Sequence, residues 1–431
     1  MTLARTDRVA RHVTCLGCGC ACDDLEVTLR RNRIVGMERA CGLGAAWLGD
    51  GRTPMRALVG GVDSSPREAL LAAARMLAEA KRPLILLTTD LSCEAQRAAV
   101  ALADRVHAVI DNLSSSTVLA SVLASQAIGR ATATLGEIRN RADVVVFWDV
   151  DGTRYPRFAE RYAPDPEGLY LREGHHGRRV VSVAARHDPW RDADHVVRVA
   201  PADETSTLIA LAAVLADPAR GPGDGPAWTA ALALLTHLDG GRYVAVIADA
   251  EPVDESDAPR ADALCRLSHA LNHGTRGAVL TLRAGGNRSG AEAAMTAAAG
   301  YPIAVDYADG TPRYRPYDGS AHALLAARSA DADLVIGDGA SVDAWSLAAL
   351  AATSCAVIGP AATTGPLAAA RIAIDSARAG VHEGGTALRM DDVPVSLQSL
   401  LPGPPPALEL LTTLIGLLAD TRFSRAARQR A

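Results

Sequence analysis

From residue 66 onward the chain alternates between two hydrophobic periods. PREALLAAARMLAEA (66–80) and CEAQRAAVALADRV (93–106) place apolar residues three and four apart, which predicts amphipathic helices. PLILLTTD and HAVIDN are instead short apolar runs that predict buried strands. The same kind of run returns in ADVVVFWDV, RVVSVAAR and HVVRVA, then in YVAVIADA, GAVLTLRA, YPIAVDYA, DLVIGDG, SCAVIGP and RIAIDS. Strands apolar on both faces and separated by helices predict an α/β fold with mainly parallel sheets covered by helices. Upstream the period changes: LEVTLRRNRIVGMERACGLG alternates residue by residue around Arg31-Asn32, as a β-hairpin does. Residues 12–50 therefore read as a small module, too small to stand alone.

With 431 residues, the chain is long enough for two or three domains with sizeable cores. Its 49 acids outnumber 44 basic residues, of which Lys81 is the sole lysine, and the net charge of −5 argues against a general nucleic-acid binder. MTLARTDRVARHVTC has no apolar signal core, and the apolar stretches at 66–80 and 405–419 are too short or too interrupted to span a bilayer. The expectation is a cytoplasmic protein with no membrane contact. Cys20, Cys93, Cys265 and Cys355 occur singly, as ordinary thiols of a reducing compartment do.

The strongest chemical signal is Cys15, Cys18, Cys22 and Cys41, spaced C-x2-C-x3-C-x18-C. The glycine-rich turn CLGCGCACDD is short enough for its thiolates to reach one centre, and Cys41 returns from the hairpin. An iron–sulfur cluster or a tetrahedral zinc ion would each suit that donor set, and Cys20 adds a fifth thiol that could compete.

This cysteine turn, with TLGEIRNRADVVVFW (134–148), GYPIAVDYADGTPRYRP (300–316) and GVHEGGTALRMDDVP (380–394), resembles the B subunit of formylmethanofuran dehydrogenase. The resemblance covers nearly the whole chain and implies the molybdopterin-oxidoreductase layout without its C-terminal β-barrel. It implies a cysteine-rich module over 1–56, completed by 376–431; a discontinuous α/β domain from 57–112 and 290–375; and a second α/β domain inserted at 113–289. In that family a cysteine and a histidine ahead of a Gln and a Gly hold the catalytic metal. Matching Gln126 and Gly129 puts Thr117 and Val118 at those two positions. A threonine hydroxyl is a poor ligand for molybdenum or tungsten, and valine carries no proton. The loop Trp148-Asp149-Val150-Asp151-Gly152 also sets two carboxylates where cofactor phosphates would approach. Arg283 stands where a family active-site arginine is expected.

A kept scaffold with a lost redox centre resembles the B subunit of the bacterial formyltransferase/hydrolase complexes. The resemblance implies a scaffold without activity of its own, in a complex that converts formyl-tetrahydromethanopterin to formate through a methylofuran carrier. The implied partners are a formyltransferase, an amidohydrolase-like hydrolase and a β-helical subunit, and no molybdopterin or tungstopterin is expected. The alternative is the catalytic B subunit of a molybdenum or tungsten formylmethanofuran dehydrogenase. Such a carrier has a polyglutamate tail, and the arginine-rich stretch 154–191 offers cations for it. Arg154, Arg157, Arg161, Arg178 and Arg179 are the expected contacts. The glycines Gly285, Gly286 and Gly290 of RAGGNRSG resemble a phosphate cradle, but the expectation here is an inherited tight turn.

Overall fold

The computed structural model describes residues 7–113, 115–219, 221–249, 258–283 and 285–419. Along the chain come β1 (Arg8–Val13), β2 (Leu25–Leu29), β3 (Ile34–Glu38), β4 (Ala57–Val59), β5 (Val62–Ser64), β6 (Pro83–Leu87) and β7 (Val109–Asn112). Next are β8 (Val144–Trp148), β9 (Arg179–Ala184), β10 (His195–Arg198), β11 (Tyr243–Asp249) and β12 (Arg276–Leu282). The last group is β13 (Val305–Asp306), β14 (Arg313–Tyr314), β15 (Ala332–Ile336), β16 (Cys355–Gly359), β17 (Ile372–Asp375), β18 (Gly385–Leu388) and β19 (Pro394–Leu397). The chain divides into two compact units, one within Met1–Ser116 and Gly285–Ala431, the other within Thr117–Ala284. Residues 420–431, part of the stretch expected to complete the cysteine module, lie outside the described residues.

The first unit is built on a nine-stranded sheet ordered β14-β13-β7-β6-β15-β16-β17-β4-β5. Its centre is parallel, because β6 pairs in parallel with β7 and β15, and β16 with β15 and β17. The unbroken apolar run of β6 has a direct cause. Ile85 and Leu87 face a core shared with the helices Pro66–Glu79, Cys93–Val106 and Ala407–Ala419, while Leu84 and Leu86 face the opposite core with Ala321–Ala326 and Ala344–Leu350. A strand buried on both sides has no polar face to alternate with. The helix at Pro66 starts where the sequence says it should: Ser65 accepts from the Glu68 N–H, Glu68 accepts from the Ser65 N–H, and Pro66 occupies the first turn.

Both edges of that sheet are antiparallel hairpins, β13–β14 and β4–β5. YPIAVDYA, expected as a buried strand like the others, supplies only the two-residue β13, which pairs antiparallel with β7. At the N-terminus β1, β2 and β3 form a three-stranded antiparallel sheet. Arg31 and Asn32 turn the predicted hairpin at φ of 50° and 55°, the left-handed pair that a tight hairpin turn demands.

The second unit carries five parallel strands in the order β10-β9-β8-β11-β12. The chain starts in the middle at β8, winds outward to β10, then returns to the other side of β8 at β11. Such a reversal opens a crevice at the carboxyl ends of the strands, where ligands of doubly wound folds bind. Among the described residues no helix is long and apolar enough to cross a membrane.

Candidate functional site

The cysteine turn folds back on itself, the Cys15 N–H donating to the Cys22 carbonyl at 2.8 Å. Cys15, Cys18 and Cys22 are buried, and Cys41 caps the short helix Gly42–Leu48. A methyl group placed on Gly44 would sit 3.0 Å from the Cys15 sulfur and 3.9 Å from that of Cys41, so the last cysteine does come back to the turn. Burial, joined by the charges of Cys18, Cys22 and Cys41, pushes the Cys15 thiol up to about 12. Among the described residues no group of three or more His, Cys, Asp or Glu side chains stands in a metal-holding arrangement. The donor chemistry fits a soft metal, while the positions do not gather three sulfurs around one point.

The turn is fastened to its own unit by packing and by backbone bonds. Leu16 lies in a cluster with Ala379, Ala387, Val395 and Leu397, and the Leu16 and Gly19 carbonyls accept from Gly286 and Met390. This contact explains the glycines of RAGGNRSG, of which Ala284 lies outside the described residues. A side chain on Gly286, at φ 38°, would run into the Thr89 carbonyl, and one on Gly290 would run into the Asn287 amide. Asn287 itself is fully buried, donating to the Leu91 carbonyl at 2.8 Å and accepting from the Leu388 N–H at 2.7 Å. A crossing backbone at Gly286 and the Asn287 side chain at Gly290 already require glycine at both places.

Thr117 and Val118 lie in the first turn of the helix Ser115–Ile128, and Val118 is fully buried. Arg283 directly follows β12 and is half-buried. Within the second unit the carboxyl ends of β8, β9 and β11 hold a ring of ionised side chains. Asp149, at φ 51°, accepts from the N–H groups of Ala185, Arg186 and His187 at 2.8 to 3.0 Å. Its burial works against the charge, but these three donors outweigh it and hold the carboxyl below its usual range. An anion nest at the end of β9 is therefore filled by the protein's own carboxylate.

Behind it, Glu204 is completely buried and accepts from Trp148 Nε1 at 3.1 Å, from Arg260 Nε at 2.7 Å and from Arg186. Arg186 reaches Asp149 as well, at 3.2 Å. Arg260 also donates to the Asp249 carbonyl at 3.0 Å, and Arg154 pairs with the Asp249 carboxylate at the same distance. The acids and arginines at these strand ends thus already satisfy one another.

The five arginines expected to meet a polyanionic tail mostly have such internal work. Arg157 pairs with Glu160, and Arg161 lies 5.5 Å over the Tyr162 ring. Arg178 and Arg179 also make bonds within the unit. Arg178 is buried and clamps the carbonyls of Pro164, Pro166 and Arg139, and Arg179 clamps those of His237 and Asp239 at 2.8 Å. Their guanidinium groups tie loops together. A feature the sequence did not single out lies in the same unit: a cavity of ≈ 760 Å³ between the loops that follow β8 and β9, walled by Tyr155 and Trp190.

Fold and site together define a doubly wound α/β chain with a thiol-rich N-terminal turn. No family model matches the chain. It is 31% identical over 430 residues, 95% of its length and 98% of the relative's, to the B subunit of tungsten-containing formylmethanofuran dehydrogenase 2 from Methanocaldococcus jannaschii. It is 28% identical over 417 residues, 92% of its length and 95% of the relative's, to the protein of that name in Methanococcus maripaludis. One chain of the formyltransferase/hydrolase complex from Methylorubrum extorquens, solved in complex with methylofuran, superposes with a TM-score of 0.72 at 23% identity, covering 85% of this chain and all of that one. The chain belongs to the family of formylmethanofuran dehydrogenase B subunits.

Proposed function

We propose that this chain is a non-catalytic scaffold subunit of a formyltransferase/hydrolase complex, in which a formyl group passes from formyl-tetrahydromethanopterin to a methylofuran carrier and is released as formate. The observation that carries the reading is Thr117-Val118 where the family's metal-holding Cys-His pair belongs, with Val118 fully buried in its helix. The fold likeness to a complex solved with methylofuran supports it, as does the Asp149 carboxylate filling the nest where a cofactor phosphate would otherwise be held. In this reading Cys15, Cys18, Cys22 and Cys41 form a module whose work is to fix the N-terminus to the scaffold. Cluster and zinc are both compatible with it. Arg154, Arg157, Arg161, Arg178 and Arg179 are the candidates for contact with the carrier's polyglutamate tail. Chemistry belongs to a formyltransferase and a hydrolase beside it, and the complex would reside in the cytoplasm.

The second reading is a catalytic subunit of a tungsten or molybdenum dehydrogenase, favoured by the tungsten-containing relative at 31% identity. Deleting this chain is expected to abolish formate release from the formylated pterin while the purified complex shows no viologen-linked turnover of the formylated carrier. Viologen-linked turnover that vanishes with the deletion would establish the second reading instead.

A further inference from the structure

His382, in the motif GVHEGGTALRMDDVP, is buried to 8% exposure in the tight turn 378–383, whose Val381, His382 and Glu383 N–H groups all donate to the Arg378 carbonyl. Both of its ring nitrogens are engaged. The Arg378 N–H donates to Nδ1 at 3.4 Å, and Nε2 lies 2.8 Å from the Gly51 carbonyl oxygen. A carbonyl only accepts, and a ring nitrogen that accepts from an N–H carries no proton of its own, so these partners select the neutral imidazole protonated at Nε2. The contact joins distant parts of the chain, because Gly51 follows the helix Gly42–Leu48 that Cys41 caps, whereas the turn 378–383 leads into β18. The ring has no room to swing away: a Cβ on Gly403 would fall 2.6 Å from it, and one on Gly51 would run into Leu401. Ser399 Oγ donates to the His382 carbonyl at 3.0 Å, and the Leu400 and Leu401 N–H groups donate to that of Val381. Three segments, 49–52, 378–383 and 399–403, thus meet at one imidazole.

The charged groups on these segments offer a cation at that ring nothing to pair with. Arg378, on its own turn, is itself a cation and is held by Asp338 at 3.1 Å. On the first segment Asp50 pairs with Arg52 at 3.4 Å. The Glu383 carboxylate accepts from Ser92 Oγ at 2.8 Å and from the Ala407 N–H at 3.1 Å. Residues 399–406 contain no ionisable side chain, and the group that reaches them, at the Leu400 carbonyl, is the guanidinium of Arg8. No carboxylate bonds to the imidazole among the described residues.

We infer that His382 is a pH-sensitive pin, which holds the end of the N-terminal module against the segment 378–403 when neutral and releases it when protonated. A second ring proton, on Nδ1, would face the Arg378 N–H, donor against donor, and would bring a buried charge with no partner. Burial, with the charge of Arg378 added, holds the imidazole below its ordinary 6.5, although the Gly51 carbonyl pulls the other way. The released state titrates at the ordinary value and takes up the proton first. The pinned state is therefore fully favoured above about pH 6.5 and loses ground as the pH falls below it, by up to about tenfold per pH unit. Asp90 and Glu383, buried acids of the same unit, are raised by burial, so their protonation on acidification favours the fold and has the opposite sign. The inference rests on the first unit alone and holds whether the chain is a scaffold or a redox subunit.

Hydrogen exchange of the purified complex, followed by mass spectrometry at about pH 7.5 and about pH 5.5 and corrected for the intrinsic pH dependence of exchange, tests it. The amides of 380–383 and 400–401 are expected to exchange about three- to tenfold faster at the lower pH, while those of the central strands β6 and β15 stay unchanged. His382→Gln keeps an N–H donor for the Gly51 carbonyl and takes up no proton, so its exchange at these amides is expected to be the same at both pH values. No acceleration in the unaltered protein, acceleration spread evenly over the first unit, or equal acceleration in His382→Gln would each overturn the inference. The first two outcomes are read without any substitution, so they decide the matter even if His382→Gln fails to fold.

Discussion

Glu204→Gln is expected to be the most damaging single substitution in the second unit, lowering its stability by about 3–5 kcal/mol, the cost of removing one partner from a buried ion pair. Glu204 is completely buried, and Arg260 keeps only 8% of its side chain exposed. The amide of glutamine can still accept from Trp148 but supplies no charge. Arg260 then has only the Asp249 carbonyl and Arg186 only Asp149. Two guanidinium groups at the carboxyl ends of the strands would be left short of one negative charge. Thermal unfolding of the purified complex, read with Arg191→Gln as the control, checks this. Arg191 is 87% exposed in a surface pair, so its loss is expected to stay within about 0.5 kcal/mol.

Gly359→Ala is expected to have the largest effect in the first unit. This glycine ends β16, and a Cβ on it would fall inside the Gly337 carbonyl at the end of the neighbouring β15. The obstacle is backbone, already fixed by the Gly337 N–H donating to the Ile358 carbonyl at 2.8 Å and the Ser376 N–H to that of Gly359 at 3.0 Å. Neither strand can give way without breaking the ladder, so the cost lies at or above the upper end of the ~1–3 kcal/mol seen for overpacking. Gly416→Ala offers a contrast of opposite sign. It lies exposed in the helix Ala407–Ala419 with open space around it, and alanine there is expected to stabilise by up to about 1 kcal/mol.

The parallel sheets were legible because burial on both faces leaves strands such as Leu84–Leu87 with no polar position, and the Arg31-Asn32 hairpin because a tight turn needs two residues that tolerate positive φ. The site was less legible. Glu204 reads in sequence as an ordinary acid in a helix's first turn. Only the fold brings Trp148, Arg186 and Arg260 to it from three other segments. The density of arginine over 154–191 is plain in the sequence, but sequence does not reveal where a guanidinium spends its donors. Arg178 and Arg179 spend theirs on carbonyls of neighbouring loops. Nor did Tyr155 and Trp190 stand out as cavity walls, since a buried aromatic supporting a core and one lining an opening have the same sequence signature. The positions of Thr117 and Val118, by contrast, needed no fold at all: side-chain chemistry alone rules them out as a Cys-His metal pair.

The claim that this family member has lost its redox centre rests on those two residues, and elemental analysis of the complex purified without oxygen tests it most directly. The account predicts no stoichiometric molybdenum or tungsten, with at most iron or zinc bound through the four-cysteine turn. One atom of molybdenum or tungsten per chain would contradict it.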